Sequence, residues 1–150
     1  MPRSGPTYVA VVDDDESARR SCGRWLRAAG FLPVEYPTAE SFLEDRRRPD
    51  FQCLVLDVRL PGISGLELAH RLASVNDRTP VVYLTAHDDP EARRAALATG
   101  GVGFFLKTDK GELVLEALRR ATGTPGADAD SPGGPPTIAP VRAATLRCLP

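Results

Sequence analysis

The chain has 150 residues, of which 42% are hydrophobic and 26% charged, and its formal net charge is -1. This is the length of one domain with a sizeable core, and the balanced charge gives no indication of binding to nucleic acid or to a membrane surface. No apolar run approaches the ~20 residues of a membrane helix, and residues 1–5 do not begin a signal peptide. Three widely spaced cysteines indicate neither a disulfide framework nor a Cys-x-x-Cys site. We therefore expect a cytoplasmic domain.

In the first part of the chain, two apolar strands alternate with two helices. Residues 8–12 form an apolar, β-branched run that is typical of a strand covered on both faces. Residues 18–29 carry apolar side chains at helical spacing, and a glycine follows where we expect the helix to end. A second strand over residues 31–36 contains Pro33, which suits only an edge strand. A short helix over residues 38–44 begins with a threonine that can cap it.

The same alternation continues three more times. Further strands are predicted over residues 53–56, 81–84 and 103–106, and further helices over residues 65–73, 90–99 and 113–121. Five strand–helix units predict a parallel sheet with helices on both faces, because each right-handed crossover uses its helix to cover the sheet. We therefore expect one domain over residues 7–122. Residues 123–150 are rich in glycine and proline, and we interpret them as a linker or disordered tail without a recognisable output domain.

Polar side chains follow the predicted strands at the points where they end. Residues 13–15 are three consecutive aspartates, Asp57 follows the third strand, Thr85 the fourth and Lys107 the fifth. Ligands of an open parallel sheet bind outside the carboxyl ends of its strands, so these side chains should share one crevice. Crowded carboxylates repel one another unless a hard divalent cation such as Mg2+ (or Mn2+) binds them. Together with a lysine and a hydroxyl, they indicate a phosphoryl-transfer site with an aspartate nucleophile.

Four segments of the sequence resemble the receiver domain of bacterial response regulators, most like the FixJ/NarL type. They are VVDDD at 11–15, LVLDVRLPGISG at 54–65, LTA at 84–86 and FFLK at 104–107. The resemblance spans residues 7–122. It implies a flavodoxin-like α/β fold, a five-stranded parallel sheet with strand order 2-1-3-4-5.

The resemblance implies a metal-dependent phosphoacceptor. Asp57 would take a phosphoryl group from a sensor histidine kinase or a small phosphodonor. Asp13, Asp14 and Asp57 would hold Mg2+ together with the main-chain carbonyl of Arg59. The protein would catalyse only its own phosphorylation and dephosphorylation, and we do not expect another enzymatic activity.

The resemblance also implies a switch. Thr85 would hydrogen-bond the phosphoryl oxygen, Lys107 would pair with it, and Phe104 would be the aromatic residue that changes rotamer. The aspartyl phosphate would then shift a two-state equilibrium of the face formed by the fourth helix, fifth strand and fifth helix, which controls an output or partner. A phosphorylation-linked homodimer through this face is our hypothesis for the assembly. Nothing after residue 122 resembles a DNA-binding domain, so DNA binding by this chain is not predicted.

Two positions depart from the family pattern. The lysine is normally followed by proline, whereas Lys107 precedes Thr108. A cis bond without proline costs about 3 kcal/mol, so we expect a trans bond and a changed position or mobility of Lys107. Arg59 and His87 occupy the variable positions that flank the phosphoacceptor. We predict that they alter the lifetime of the phosphate, without a predicted sign.

Alternative interpretations apply to the same residues. With Asp13 as nucleophile and Asp15 as acid or base, the site would resemble that of a haloacid-dehalogenase-type phosphatase, although Asp57 has no role in that scheme. A receiver-shaped binding module that signals without phosphate is the second alternative. Asp15 is the residue best placed to cap the first helix, and His70 is interpreted as a surface residue.

Overall fold

Five parallel strands alternate with five helices in the computed structural model, which describes residues 6–123. The strands are β1 Tyr8–Val12, β2 Leu32–Tyr36, β3 Cys53–Leu56, β4 Val81–Thr85 and β5 Gly103–Leu106. The helices are α1 Glu16–Ala28, α2 Ala39–Glu44, α3 Gly65–Ser74, α4 Pro90–Ala98 and α5 Gly111–Thr122. The strand order β2-β1-β3-β4-β5 confirms the predicted sheet. It also places Pro33 on an edge strand, where its missing N–H costs no ladder bond.

The sheet separates two apolar cores, because successive side chains of a strand point to opposite faces. Ala10 and Val12 of β1 belong to the core under α2, α3 and α4, whereas Val9 and Val11 belong to the core under α1 and α5. All four of these side chains are buried, which explains why β1 reads as a continuous apolar run. The helices thus cover both faces, as predicted.

The first helix begins two residues earlier than the apolar spacing predicts. Asp15 is its N-cap, and its carboxylate accepts hydrogen bonds from the N–H groups of Ser17 at 3.0 Å and Ala18 at 3.4 Å. The first two residues of the helix, Glu16 and Ser17, are polar, so apolar periodicity could not locate its start. The cap itself was predicted correctly, because a carboxylate satisfies N–H groups that have no partner inside the helix.

The remaining fold predictions differ from the structure by only a few residues. β2 begins at Leu32 rather than residue 31, because the main-chain N–H of Phe31 still donates to the carbonyl of Leu26 in α1, at 3.0 Å. Among residues 6–123 no peptide bond is cis, so Lys107–Thr108 is trans. No helix within this range is long and apolar enough to cross a membrane. The predicted tail lies outside the described residues, apart from Gly123, which ends α5.

Candidate functional site

The register of the sheet places the predicted strand-end residues side by side at the carboxyl ends of the strands. Val12 of β1 is paired with Leu56 of β3, so Asp13 and Asp57 leave the sheet side by side. The main-chain N–H of Asp57 donates to the carbonyl of Val12 at 3.0 Å, that of Asp13 to Tyr36 at 3.1 Å, and that of Lys107 to Thr85 at 2.7 Å. Each of these three functional residues is therefore fixed through its backbone to the neighbouring strand.

Three carboxylates form an acidic cluster at this edge. Asp13, Asp14 and Asp57 each offer one oxygen, and these oxygens lie within 4.8 Å of one another. Asp13 and Asp57 are 4% and 6% exposed, whereas Asp14 is exposed. Carboxylate oxygens are the ligands that Mg2+ prefers, and one exposed member leaves room for its water ligands. The three residues therefore fit a hard divalent cation.

Short hydrogen bonds orient the two buried carboxylates. The N–H of Asp15 donates to Asp13 Oδ1 at 2.9 Å, and the N–H of Arg59 donates to Asp57 Oδ1 at 3.2 Å. The second oxygen of each carboxylate accepts from Lys107 Nζ, at 2.8 Å for Asp13 and 2.9 Å for Asp57. Lys107 thus lies between both acids, although no proline directly follows it in the chain.

The charges of the cluster explain two pKa shifts. Burial raises the pKa of Asp13, and repulsion from Asp57 adds to this, while the bonds from Lys107 and Asp15 oppose it. Burial alone would lower the pKa of Lys107, but its hydrogen bonds to Asp13 and Asp57 outweigh burial, and the pKa is raised. Lys107 pairs with two of the three acids, so the crevice keeps an excess of negative charge that suits a cation.

The predicted switch residues lie on neighbouring strands. Thr85 ends β4 and is 2% exposed, and its hydroxyl accepts a long hydrogen bond of 3.5 Å from the main-chain N–H of His87. Phe104 on β5 is 4% exposed and packs against Tyr83, with ring centroids 6.5 Å apart. The guanidinium of Arg93 on α4 lies 4.8 Å from the centre of the Phe104 ring. The aromatic residue is therefore directed inward and contacts α4.

Two arginines near the crevice have contacts that the sequence analysis missed. Arg19 belongs to α1, and its side chain is only 14% exposed. Its Nη1 donates to the carbonyl oxygen of Asp13 at 2.7 Å, and its Nε lies 3.5 Å from Glu35. Arg59 Nη2 reaches across to Asp89 Oδ2 at 3.1 Å. Both contacts join residues of different loops or elements, which apolar periodicity does not report.

The loop between β3 and α3 explains the Gly62 and Gly65 pair of the motif. Gly65 packs so closely on Asp57 that a Cβ would collide with the carbonyl oxygen of Asp57. Gly62 has a φ of +73°, the left-handed region that glycine adopts without strain. The carboxylate of Glu40 on α2 accepts the N–H of Ile63 at 2.9 Å and holds this loop down. Glu40 was not among the predicted residues, because nothing local to it indicates a loop 23 residues away.

The histidines and the two described cysteines differ in their exposure. His70 is exposed, as predicted, and His87 is exposed beside Thr85. Cys22 and Cys53 are buried in the core under α1 and α5. Burial raises the pKa of the Cys53 thiol to about 12 and also raises that of Cys22, so neither thiol is reactive at neutral pH.

Residues 9–119 match the family model of the response regulator receiver domain. The matching family is thus the one whose motifs the sequence resembles, and not the haloacid-dehalogenase-type phosphatases that we considered as an alternative. Receiver domains are generally not classical enzymes.

Individual proteins are also similar to this chain in sequence or in structure. The chain is 38% identical over 119 residues to nodulation protein W of Bradyrhizobium diazoefficiens, covering 79% of this chain and 52% of that protein. It is 33% identical over 123 residues to the transcriptional regulatory protein FixJ of Azorhizobium caulinodans, covering 82% of this chain and 57% of that protein. The crystal structure of FixJ-N superposes with a TM-score of 0.73 at 31% identity, covering 80% of this chain and 96% of that one. The chain therefore spans about half the length of these curated relatives.

Proposed function

Because the chain belongs to the response regulator receiver family, we propose that Asp57 accepts a phosphoryl group in a Mg2+-dependent reaction. The donor is a sensor histidine kinase or a small phosphodonor such as acetyl phosphate. One observation carries the proposal: Asp57 Oδ2 lies 2.9 Å from Lys107 Nζ, in a carboxylate cluster with Asp13 and Asp14. Phosphoryl transfer to aspartate requires a carboxylate nucleophile, a positively charged side chain beside it and a pair of acids that can bind a metal.

The residues of the chain have separate tasks in this reaction. A carboxylate oxygen of Asp57 attacks the phosphorus atom, and the bond from phosphorus to the donor breaks, with its electron pair leaving on the donor atom. Lys107 exchanges a carboxylate partner for a phosphoryl oxygen, and the hydroxyl of Thr85 donates to another. Asp13, Asp14, Asp57 and the main-chain carbonyl of Arg59 would hold Mg2+, which neutralises charge on the phosphoryl oxygens when bound.

The test is intact-mass analysis after incubation with acetyl phosphate and Mg2+. We expect one phosphoryl adduct on the wild type and none on Asp57→Asn. Asp77→Asn, a carboxylate far from the crevice, is the matched control and should still be modified. An adduct on Asp13 with turnover of a phosphomonoester would support a phosphatase instead. No adduct from acetyl phosphate or from a histidine kinase would support a phosphate-independent binding module.

We further propose that the phosphate acts on the face formed by α4, β5 and α5. Movement of Thr85 toward the phosphoryl group leaves space that Phe104 fills by changing rotamer, and Phe104 already contacts Arg93 of α4. A homodimer through this face is the expected consequence. Mass measurement by light scattering, with and without beryllofluoride and Mg2+, tests it, and a monomer in both conditions would count against the dimer.

Arg59 and His87 are the proposed modulators of phosphate lifetime. Both are exposed at the mouth of the crevice, where they are placed to shield the phosphate or to position the attacking water. Dephosphorylation of Arg59→Ala and His87→Ala beside the wild type measures their effect. Unchanged rates in both variants would refute it.

The partners and location follow from the family. We infer a cytoplasmic receiver that interacts with a sensor histidine kinase. One relative is named a transcriptional regulatory protein, so we infer that signalling by this receiver ends in an output such as transcription. The described residues form only the receiver, and the chain itself is not proposed to bind DNA.

A further inference from the structure

Asp89 holds two partners at once at the mouth of the crevice. Its Oδ1 accepts the N–H of Glu91 at 3.0 Å and so caps α4, while its Oδ2 pairs with Arg59 Nη2 at 3.1 Å. Arg59 in turn donates its main-chain N–H to Asp57 Oδ1 at 3.2 Å. These contacts form a continuous path from the phosphoacceptor to the first turn of α4.

The Arg59 side chain has a second anion within its range. Arg59 is anchored beside Asp57 through its backbone, and its side chain is long enough to cross to Asp89 in the next loop. It is also 61% exposed, so it can reorient without disturbing a core. A doubly charged anion on Asp57 competes for the guanidinium with the single charge of Asp89, and arginine binds such oxyanions in a bidentate manner.

We propose that Asp89 is a positioning residue that holds Arg59 away from the phosphorylation site, and that an anion on Asp57 takes Arg59 from it. Binding of an anion at Asp57 then breaks the Arg59–Asp89 ion pair, which connects the β3–α3 loop to the N-terminus of α4. Asp89 keeps its capping bond to Glu91, so the helix remains intact while its connection to the crevice is released. This inference rests on the proposed function, because it requires an anion at Asp57.

A double-mutant cycle with beryllofluoride and Mg2+ tests the competition. Asp89→Asn keeps a side-chain oxygen for the cap but removes the charge that holds Arg59. We expect the affinity for beryllofluoride, measured from the bound 19F NMR signal, to increase about two- to fivefold in this variant, as befits an exposed ion pair. In the Arg59→Gln background the same substitution should change the affinity by a smaller factor, because no guanidinium remains to be released.

The control is Asp88→Asn. Asp88 is the adjacent carboxylate, but it pairs with Arg93 rather than Arg59. Its effect on affinity should be the same with and without Arg59, which separates release of the guanidinium from a general loss of negative charge. The Arg59-dependent part of the Asp89→Asn effect should also become smaller in 0.5 M salt. At that ionic strength exposed charges interact only over a distance on the order of a few Å.

The outcomes separate the two proposals. If the wild type binds beryllofluoride and Asp89→Asn changes affinity equally in both backgrounds, Asp89 does not compete for Arg59 and this inference is wrong, while the proposed function stands. If the wild type does not bind beryllofluoride at all, the proposed function fails, and this inference fails with it.

Discussion

Asp13 is a buried carboxylate whose charge is only partly compensated. It is 4% exposed, it shares Lys107 with Asp57, and burial raises its pKa above the ordinary value of 3.8. A carboxyl group with a raised pKa in the folded state reduces stability at every pH where it is ionised. The reduction is absent well below pH 3.8, increases as the pH rises through the ordinary and then the raised pKa, and is complete above both.

We therefore expect Asp13→Asn to be more stable than the wild type at pH 7 without Mg2+. Asparagine keeps an oxygen for the N–H of Asp15, and Lys107 keeps Asp57 as its partner. Urea unfolding at pH 7 and at pH 3 measures the difference, which should disappear at pH 3. A variant less stable than the wild type at pH 7 would show that the bond to Lys107 outweighs burial and repulsion.

At the residue scale, the sequence identified the groups that end strands but not their partners. Asp13, Asp57 and Lys107 could be predicted because parallel strands end at one edge. Arg19 and Asp89 could not, because their partners belong to other loops and only the three-dimensional structure brings the side chains together. Such contacts depend on the rotamers of long side chains, and periodicity carries no information about them.

At the element scale, adjacent aspartates before α1 have different tasks. Asp15 caps the helix, whereas Asp14 is an exposed member of the acidic cluster. We expect Asp15→Ala to lower the free energy of unfolding by about 1 kcal/mol without a comparable loss of Mg2+ affinity. Asp14→Ala should weaken Mg2+ binding and leave stability in metal-free buffer unchanged or higher. Urea unfolding and calorimetric titration with Mg2+ on both variants check this contrast, and equal effects on both quantities would contradict it.

The bond from Glu40 to the β3–α3 loop makes a pH-dependent contribution to stability. The N–H of Ile63 is the main cause that lowers the pKa of Glu40 below its ordinary value of 4.5. A carboxyl group with a lowered pKa stabilises the folded state above its ordinary value, and this contribution is lost as the pH falls through the lowered value. We expect Glu40→Gln to lose less stability than the wild type when the pH falls from 5.5 to 3.

Urea unfolding across this pH range measures the Glu40 effect. Glu44→Gln, exposed near the end of the same helix, is the control and should follow the wild-type curve. Parallel curves for Glu40→Gln and the wild type would show that the charge of Glu40 does not stabilise the loop.

The elements themselves were predictable where burial is periodic. All ten strands and helices appear in the predicted order, because each buries an apolar face. Their first residues were less predictable, since helix α1 begins with polar residues and its start depends on the Asp15 cap. The register of the strands was not predicted either, because continuous apolar runs such as β1 are compatible with several alignments.

At the scale of the whole molecule, the acidic cluster should couple metal binding to folding. A cation that binds only the folded state stabilises it by about 2.7 kcal/mol at about one hundred times its Kd. We expect Mg2+ to raise the midpoint of thermal unfolding of the wild type in proportion to the logarithm of its concentration. In Asp13→Asn and Asp57→Asn the increase should be much smaller. An equal increase in all three proteins would indicate that Mg2+ binds elsewhere.

The main-chain bonds of Asp13, Asp57 and Lys107 extend the sheet by one residue beyond its strands. The main-chain amides of these residues, which are proposed to bind or accept the phosphoryl group, should therefore exchange their hydrogens as slowly as the interior does. Their side chains meet in the crevice, while their main-chain N–H groups are bonded to the neighbouring strands. We therefore expect substitutions in the surrounding loops to change the reactivity of the site without loosening the strands that position it.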